Sequence, residues 1–135
     1  MRLYHVLEGR PLLEWDLNSL QKNPFNGSVV SASGVCFSAT RPTVFAATAS
    51  NGSVFVFDLA YSFLQARAVL RIPAAVSGGK LRESGKVVAL TGLAFNGKQR
   101  DLLSVCDATG KVYVWKLGNL NPLHWLFYIN VVILS

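Results

Sequence analysis

Residues 34–59, GVCFSATRPTVFAATASNGSVFVFDL, lie over residues 92–117, GLAFNGKQRDLLSVCDATGKVYVWKL, without a gap at an offset of 58. Self-similarity at a fixed period marks architectures in which neighbouring units bury one another's apolar faces. Six of the 26 positions are identical: Gly34/Gly92, Phe37/Phe95, Gly52/Gly110, Val54/Val112, Val56/Val114 and Leu59/Leu117. Val35/Leu93, Val44/Leu102, Phe45/Leu103, Phe55/Tyr113 and Phe57/Trp115 keep their apolar character. Each copy reads as three short strands: GVCFS or GLAFN, then VFAATA or LLSVCD, then SVFVFDL or KVYVWKL. Asn51-Gly52 and Thr109-Gly110 separate the second strand from the third, where a tight hairpin requires a residue able to adopt positive φ. In the third strand Val54 and Val56 point one way and Phe55 and Phe57 the other, and Val112, Tyr113, Val114 and Trp115 repeat the pattern. A sheet with one wet face alternates apolar with polar residues, so these sheets are expected to be covered on both sides.

The order strand, strand, Asn-Gly or Thr-Gly turn, then VFVFDL or VYVWKL resembles the WD repeat, whose third strand closes on a Trp-Asp-like pair. Phe57-Asp58 and Trp115-Lys116 each keep half of that pair, and no Gly-His dipeptide precedes either copy, so the family's His-Asp-Ser-Trp hydrogen-bond network is not assembled. The resemblance implies an all-β fold, a partial WD-repeat β-propeller of about two and a half blades. Trp15-Asp16 is a literal Trp-Asp pair, but no hairpin glycine precedes it at the matching spacing. The preferred reading makes MRLYHVL the third strand of an earlier blade and PLLEWDL its outer strand; the alternative ends a third strand at Trp15-Asp16.

RLYHVLEGRPLLEWDL, RPTVFAATASNGSVFVFDLA and LTGLAFNGKQRDLLSVCDATGKVYVWKL, taken in order over residues 2–117, resemble the C-terminal propeller of the dynein intermediate chain family. Within that family the likeness is to the branch serving the second cytoplasmic dynein, the motor of retrograde intraflagellar transport. The organisation this implies is residues 1–20 as outer strands of a preceding blade, 21–33 as a linker, 34–73 as a blade with AVLRIP outermost, 74–86 as an exposed basic Gly/Ser loop rather than an element, 87–117 as the three inner strands of a final blade, and 118–135 as an apolar tail. For the tail, rich in β-branched Ile129, Val131, Val132 and Ile133, three readings are open: a strand added to the last blade, a surface lying on a membrane or partner, or no ordered role. A propeller closes with roughly four to eight blades, so so short a series is expected to be poorly soluble or to depend on further sequence.

Composition agrees with a packed domain: 51% of the 135 residues are apolar, and Lys and Arg outnumber Asp and Glu by 13 to 7. That balance permits acidic partners but specifies no fold. No signal-peptide series opens the sequence, and the longest apolar stretch, 123–134, falls short of the roughly 20 residues of a membrane-spanning helix. Gly78-Gly79-Lys80 and Ser84-Gly85-Lys86 lack phosphate-loop spacing, and Val87 stands where the magnesium-binding hydroxyl belongs. His5 and His124 are single histidines without a nucleophile elbow. Asp101 and Asp107 fall at turns, and turn formation accounts for them. Cys36 and Cys106 have no metal-type spacing and read as small buried hydrophobes. Lys80, Arg82, Lys86, Lys98 and Arg100 form a basic set, without interleaved aromatics for base stacking, that reads as solvated loops.

Accordingly no catalytic, cofactor-binding or metal residue is assigned, no enzyme activity or cofactor is expected, and binding residues are left unnamed. The family resemblance implies a non-catalytic scaffold subunit of a dynein motor. Its propeller would bind the dynein heavy chain, in a hetero-oligomeric complex with other dynein subunits, and support retrograde intraflagellar transport and cilium assembly. Light chains would bind through a region not in this sequence. No nucleic acid or membrane span is expected, and the location would be cytoplasm, cytoskeleton and cilium. The alternative is a generic WD-repeat adaptor in another multiprotein complex.

Overall fold

The computed structural model describes residues 1–20, 29–72, 76–77, 80–81, 88–117 and 128–130. The described residues form an all-β arrangement of antiparallel sheets, none closed into a barrel, in the manner of a partial β-propeller. Two strands, β1 (Arg2–Tyr4) and β2 (Pro11–Glu14), pair as a half-blade, with Arg2 opposite Glu14 and ion-paired to it at 3.1 Å. The middle blade runs β3 (Ala32–Phe37), β4 (Val44–Ala49), β5 (Ser53–Asp58) and β6 (Ala68–Arg71), in that spatial order. Between the blades, β7 (Val76–Ser77) pairs with β8 (Lys80–Leu81). The last blade comprises β9 (Leu90–Phe95), β10 (Leu102–Asp107), β11 (Val112–Lys116) and β12 (Tyr128–Asn130).

The second and third strands of each repeat stand where the sequence places them, and the first begins two residues earlier, at Ala32 and Leu90. The repeat extends to backbone bonds outside the strands. Ser50 N donates to Ser31 O and Ala108 N to Ala89 O, while Leu59 N donates to Thr43 O and Leu117 N to Asp101 O, each pair separated by the same offset. Gly52 (φ 74°) and Gly110 (φ 84°) occupy the left-handed region, as the turns require. A Cβ at Gly110 would meet nothing within 4 Å, so the demand there is conformational rather than steric. Replacing either glycine by Val is expected to cost about 1–3 kcal/mol in denaturant unfolding, with Gly110→Asn markedly milder because Asn tolerates this region. Wild-type stability in both Val variants would contradict this.

Blades pack by unlike faces. Val54 and Val56 meet Leu103, Val105, Tyr113 and Trp115 in one core cluster. Phe45, Phe55 and Phe57 meet Trp15 and Leu17 in the other, where the Phe45 and Phe57 rings stack at 4.7 Å. Both faces of β5 are therefore buried, as its sequence implies. In the last blade only one face is: Tyr113 and Trp115 are buried while Val112 and Val114 are half-exposed, because no described residue stacks beyond them.

Three local outcomes add to the sequence reading or depart from it. Trp15 directly follows β2 and exchanges backbone hydrogen bonds with Met1 at 2.8 Å, and Asp16 Oδ1 accepts from the amide of Asn18 at 3.0 Å in a local turn. The connector read as an exposed loop rather than an element contains β7 and β8, with Val76 opposite Leu81 and Ser77 opposite Lys80. Of the readings open for the tail, the added strand is found at Tyr128–Asn130, opposite Lys116 to Val114. Residues 21–28, most of the basic loop, His124, Val131, Val132 and Ile133 lie outside the described residues.

Candidate protein-interaction surface

Chain reversal in antiparallel strands brings turn 38–43, loop 59–67 and turn 96–101 to one end of the two four-stranded blades. Ser38 organises the first turn, its Oγ accepting from the amides of Thr40 and Arg41 at 3.4 and 3.2 Å. Asn96 organises the third, its Oδ1 accepting from the amides of Lys98 and Gln99 at 2.8 and 2.9 Å. The two turns are joined by an ion pair in which Arg41 Nη2 lies 2.6 Å from Asp101 Oδ1, the side chains 10% and 29% exposed. This pair crosses between repeats. Sequence reading missed it because the equivalents of Arg41 and Asp101 are Gln99 and Thr43, so no repeat pattern announces it.

Loop 59–67 presents exposed apolar side chains at this end: Tyr61, Phe63 and Leu64 are 61%, 60% and 77% exposed. The loop is nonetheless fixed at several points. Trp15 Nε1 donates to Phe63 O at 2.8 Å, Ser62 Oγ accepts from the amides of Leu64 and Gln65 at 3.2 Å, and the Arg67 guanidinium sits 3.6 Å above the Tyr61 ring. Exposed aromatic groups on a pre-organised loop are the usual anchors of protein interfaces, since little side-chain entropy is lost on contact. Lys98 and Arg100 are exposed on the neighbouring turn.

The opposite end is built for rigidity. Asp107, the last residue of β10 and 3% exposed, has Oδ1 accepting from the amides of Thr109 and Lys111 at 2.8 and 3.1 Å and from the Thr109 hydroxyl at 2.6 Å. Its Oδ2 accepts from the Tyr113 hydroxyl at 3.0 Å. Burial pushes the carboxyl pKa up, but the bonds from Thr109, Lys111 and Tyr113 outweigh it and the net shift is downward. Burial, then the bond to Asp107 and its charge, push the Tyr113 phenol up to about 12. Turn formation thus explains only part of Asp107, which also reaches across to β11. The middle blade has Ala49 and Phe55 at these two positions, an apolar pair in place of a hydrogen-bonded one.

The remaining sequence candidates are dispersed. Asp101 and Asp107 flank opposite ends of β10 and are not paired carboxylates. His5 is exposed, its Nδ1 accepting from the Leu7 amide at 3.3 Å. The cysteines are free and half-exposed rather than buried. Cys106 alternates with buried Val105 and Asp107 and so falls on the open face of β10, opposite Gly92, where an added Cβ would lie 3.0 Å from its sulfur. Among the described residues no group of three His, Cys, Asp or Glu side chains is placed to hold a metal, and no helix is long and apolar enough to cross a membrane.

Comparison with known proteins places this framework. No protein-family model matches the chain. Over 118 residues, 87% of the chain, it is 30% identical to cytoplasmic dynein 2 intermediate chain 2 of Homo sapiens and 32% identical to that of Mus musculus. The chain is a distant relative of these intermediate chains. It spans 18% of their length, so the similarity concerns one stretch of a much larger protein.

Proposed function

We propose that the chain is part of a non-catalytic scaffold subunit of a dynein motor, whose completed propeller binds a dynein heavy chain and supports retrograde intraflagellar transport and cilium assembly. The observation that carries this reading is the similarity to dynein 2 intermediate chains across 87% of the chain. The physical side is consistent: rigid blades display loops as binding surfaces, and function on such a fold resides in those surfaces. Loop 59–67 is the part we assign to the contact, with Phe63 and Leu64 as anchors.

The test uses the full-length protein containing residues 1–117, tagged and isolated from ciliated cells. Co-recovery of a dynein heavy chain is expected, with at least a tenfold loss for the double variant Phe63→Asp/Leu64→Asp. Recovery without any heavy chain, together with normal cilia after deletion, would turn the assignment to an adaptor in another complex. Unchanged recovery of the double variant would instead move the contact away from this loop and leave the motor reading in place.

A further inference from the structure

We propose that Asn96-Gly97 is a site of spontaneous modification, at which the turn converts its own asparagine into aspartate and isoaspartate through a cyclic imide. Asn-Gly pairs also stand at 26–27 and 51–52. Residues 26–27 lie outside the described residues, so the structure compares two turns. Asn96 Oδ1 accepts from the amides of Lys98 and Gln99 at 2.8 and 2.9 Å, and residues 96–99 are all exposed. The Gly97 amide has no acceptor among the described residues, and a Cβ at Gly97 would meet nothing within 4 Å. The attacking nitrogen is therefore free, and the carbonyl it attacks is held by two donors. At Asn51-Gly52 the arrangement is reversed. Gly52 N donates to Ala49 O at 3.0 Å, Asn51 Oδ1 accepts from the Ser53 amide alone among the described residues, at 3.1 Å, and both residues are half-exposed.

The reaction needs only water and hydroxide. Hydroxide removes the Gly97 amide proton, and the nitrogen lone pair forms a bond to Asn96 Cγ. The carbonyl electron pair moves onto Oδ1, where the Lys98 and Gln99 amides stabilise the developing negative charge as an oxyanion hole does. Collapse breaks the Cγ–Nδ2 bond, and Nδ2 takes a proton from water, leaving as ammonia and restoring the hydroxide. Water then adds to either carbonyl of the imide ring. Opening at Cγ gives aspartate on the original backbone, while opening at the main-chain carbonyl gives isoaspartate, with a methylene added to the backbone. Both products place a negative charge beside Lys98 and Arg100. The isoaspartyl product also lengthens the turn that the ion pair of Arg41 with Asp101 anchors. Ser38, at the equivalent position of the middle blade, caps its turn through Oγ with the same spacing of amides, so capping does not itself require an asparagine.

The test incubates the 135-residue chain at neutral and mildly alkaline pH, digests it with trypsin and follows the mass of peptide 87–98 beside that of the peptide holding Asn51. Conversion at Asn96 should be about tenfold faster than at Asn51, the factor that corresponds to first breaking the hydrogen bond of Gly52. It should also accelerate with pH, because hydroxide removes the amide proton. In urea that unfolds the chain the two rates should converge, since glycine follows both asparagines. Isoaspartate, detected by enzymatic methylation of its carboxylate, should accompany aspartate in the product. Asn96→Ser should abolish the change in peptide 87–98 and leave the circular-dichroism spectrum as it is. Conversion at Asn51 as fast as at Asn96 in the folded chain, a rate ratio unchanged by urea, or aspartate formed without isoaspartate would each overturn the proposal.

Discussion

Truncating Trp15 to alanine is expected to destabilise the chain by about 3–5 kcal/mol, the cost usual for removing a large buried aromatic side chain. Trp15 is 3% exposed, its ring centroid lies 5.5 Å from that of Phe45 and 5.3 Å from that of Phe57, and its Nε1 holds the carbonyl of Phe63. The side chain thus joins the half-blade to the middle blade and pins the exposed loop in a single contact set. Trp15→Phe keeps most of the apolar volume and loses the hydrogen bond, so about 1–2 kcal/mol is expected for it. Urea unfolding of the two variants separates the terms, and limited proteolysis provides a second readout, since loop 59–67 should be cleaved faster in both. Trp15→Ala within about 1 kcal/mol of wild type would show that the half-blade does not dock through this side chain.

The same residue shows what sequence could and could not reveal. Strand positions were legible because VFAATA, LLSVCD, SVFVFDL and KVYVWKL are apolar runs bounded by turn residues and repeated in register, and the turn glycines announced their own backbone conformation. Trp15 was not legible as an inter-blade plug, since its partners Phe45, Phe57 and Phe63 lie 30 to 48 residues away. The ion pair of Arg41 with Asp101 escaped for a similar reason: it joins unlike positions of two repeats, where periodicity carries no signal. The cysteines were misjudged because burial depends on what covers a face. Cys106 belongs to a face that would be interior in a longer stack and is half-exposed here. Composition and spacing specified the blade, while the contacts between blades had to await the structure.

Within the last blade, the pairing of Asp107 with Tyr113 makes a sharper test because the middle blade already holds the alternative solution. Asp107→Ala is expected to cost about 2–4 kcal/mol, since it removes a charged acceptor from two amides and leaves the buried Tyr113 hydroxyl without a partner. Tyr113→Phe removes one donor from a carboxylate that keeps its bonds from Thr109 and Lys111, and about 1 kcal/mol is expected. The double variant Asp107→Ala/Tyr113→Phe reproduces the Ala49 and Phe55 pair of the other repeat, so it should be more stable than Asp107→Ala alone, with a coupling of about 1–2 kcal/mol in the double-mutant cycle. The pH dependence follows from the same geometry. The Asp107 pKa is depressed in the fold, so its contribution is complete above the unfolded value of about 4 and is lost as pH falls through the lower folded value. The Tyr113 pKa is raised to about 12, so its contribution is complete below the unfolded value of about 10 and is lost as pH rises through the folded one. Asp107→Ala should therefore flatten the acid limb of the stability profile, and Tyr113→Phe the alkaline limb. Additive single-variant costs combined with unchanged limbs would show that the two groups are neighbours without being partners.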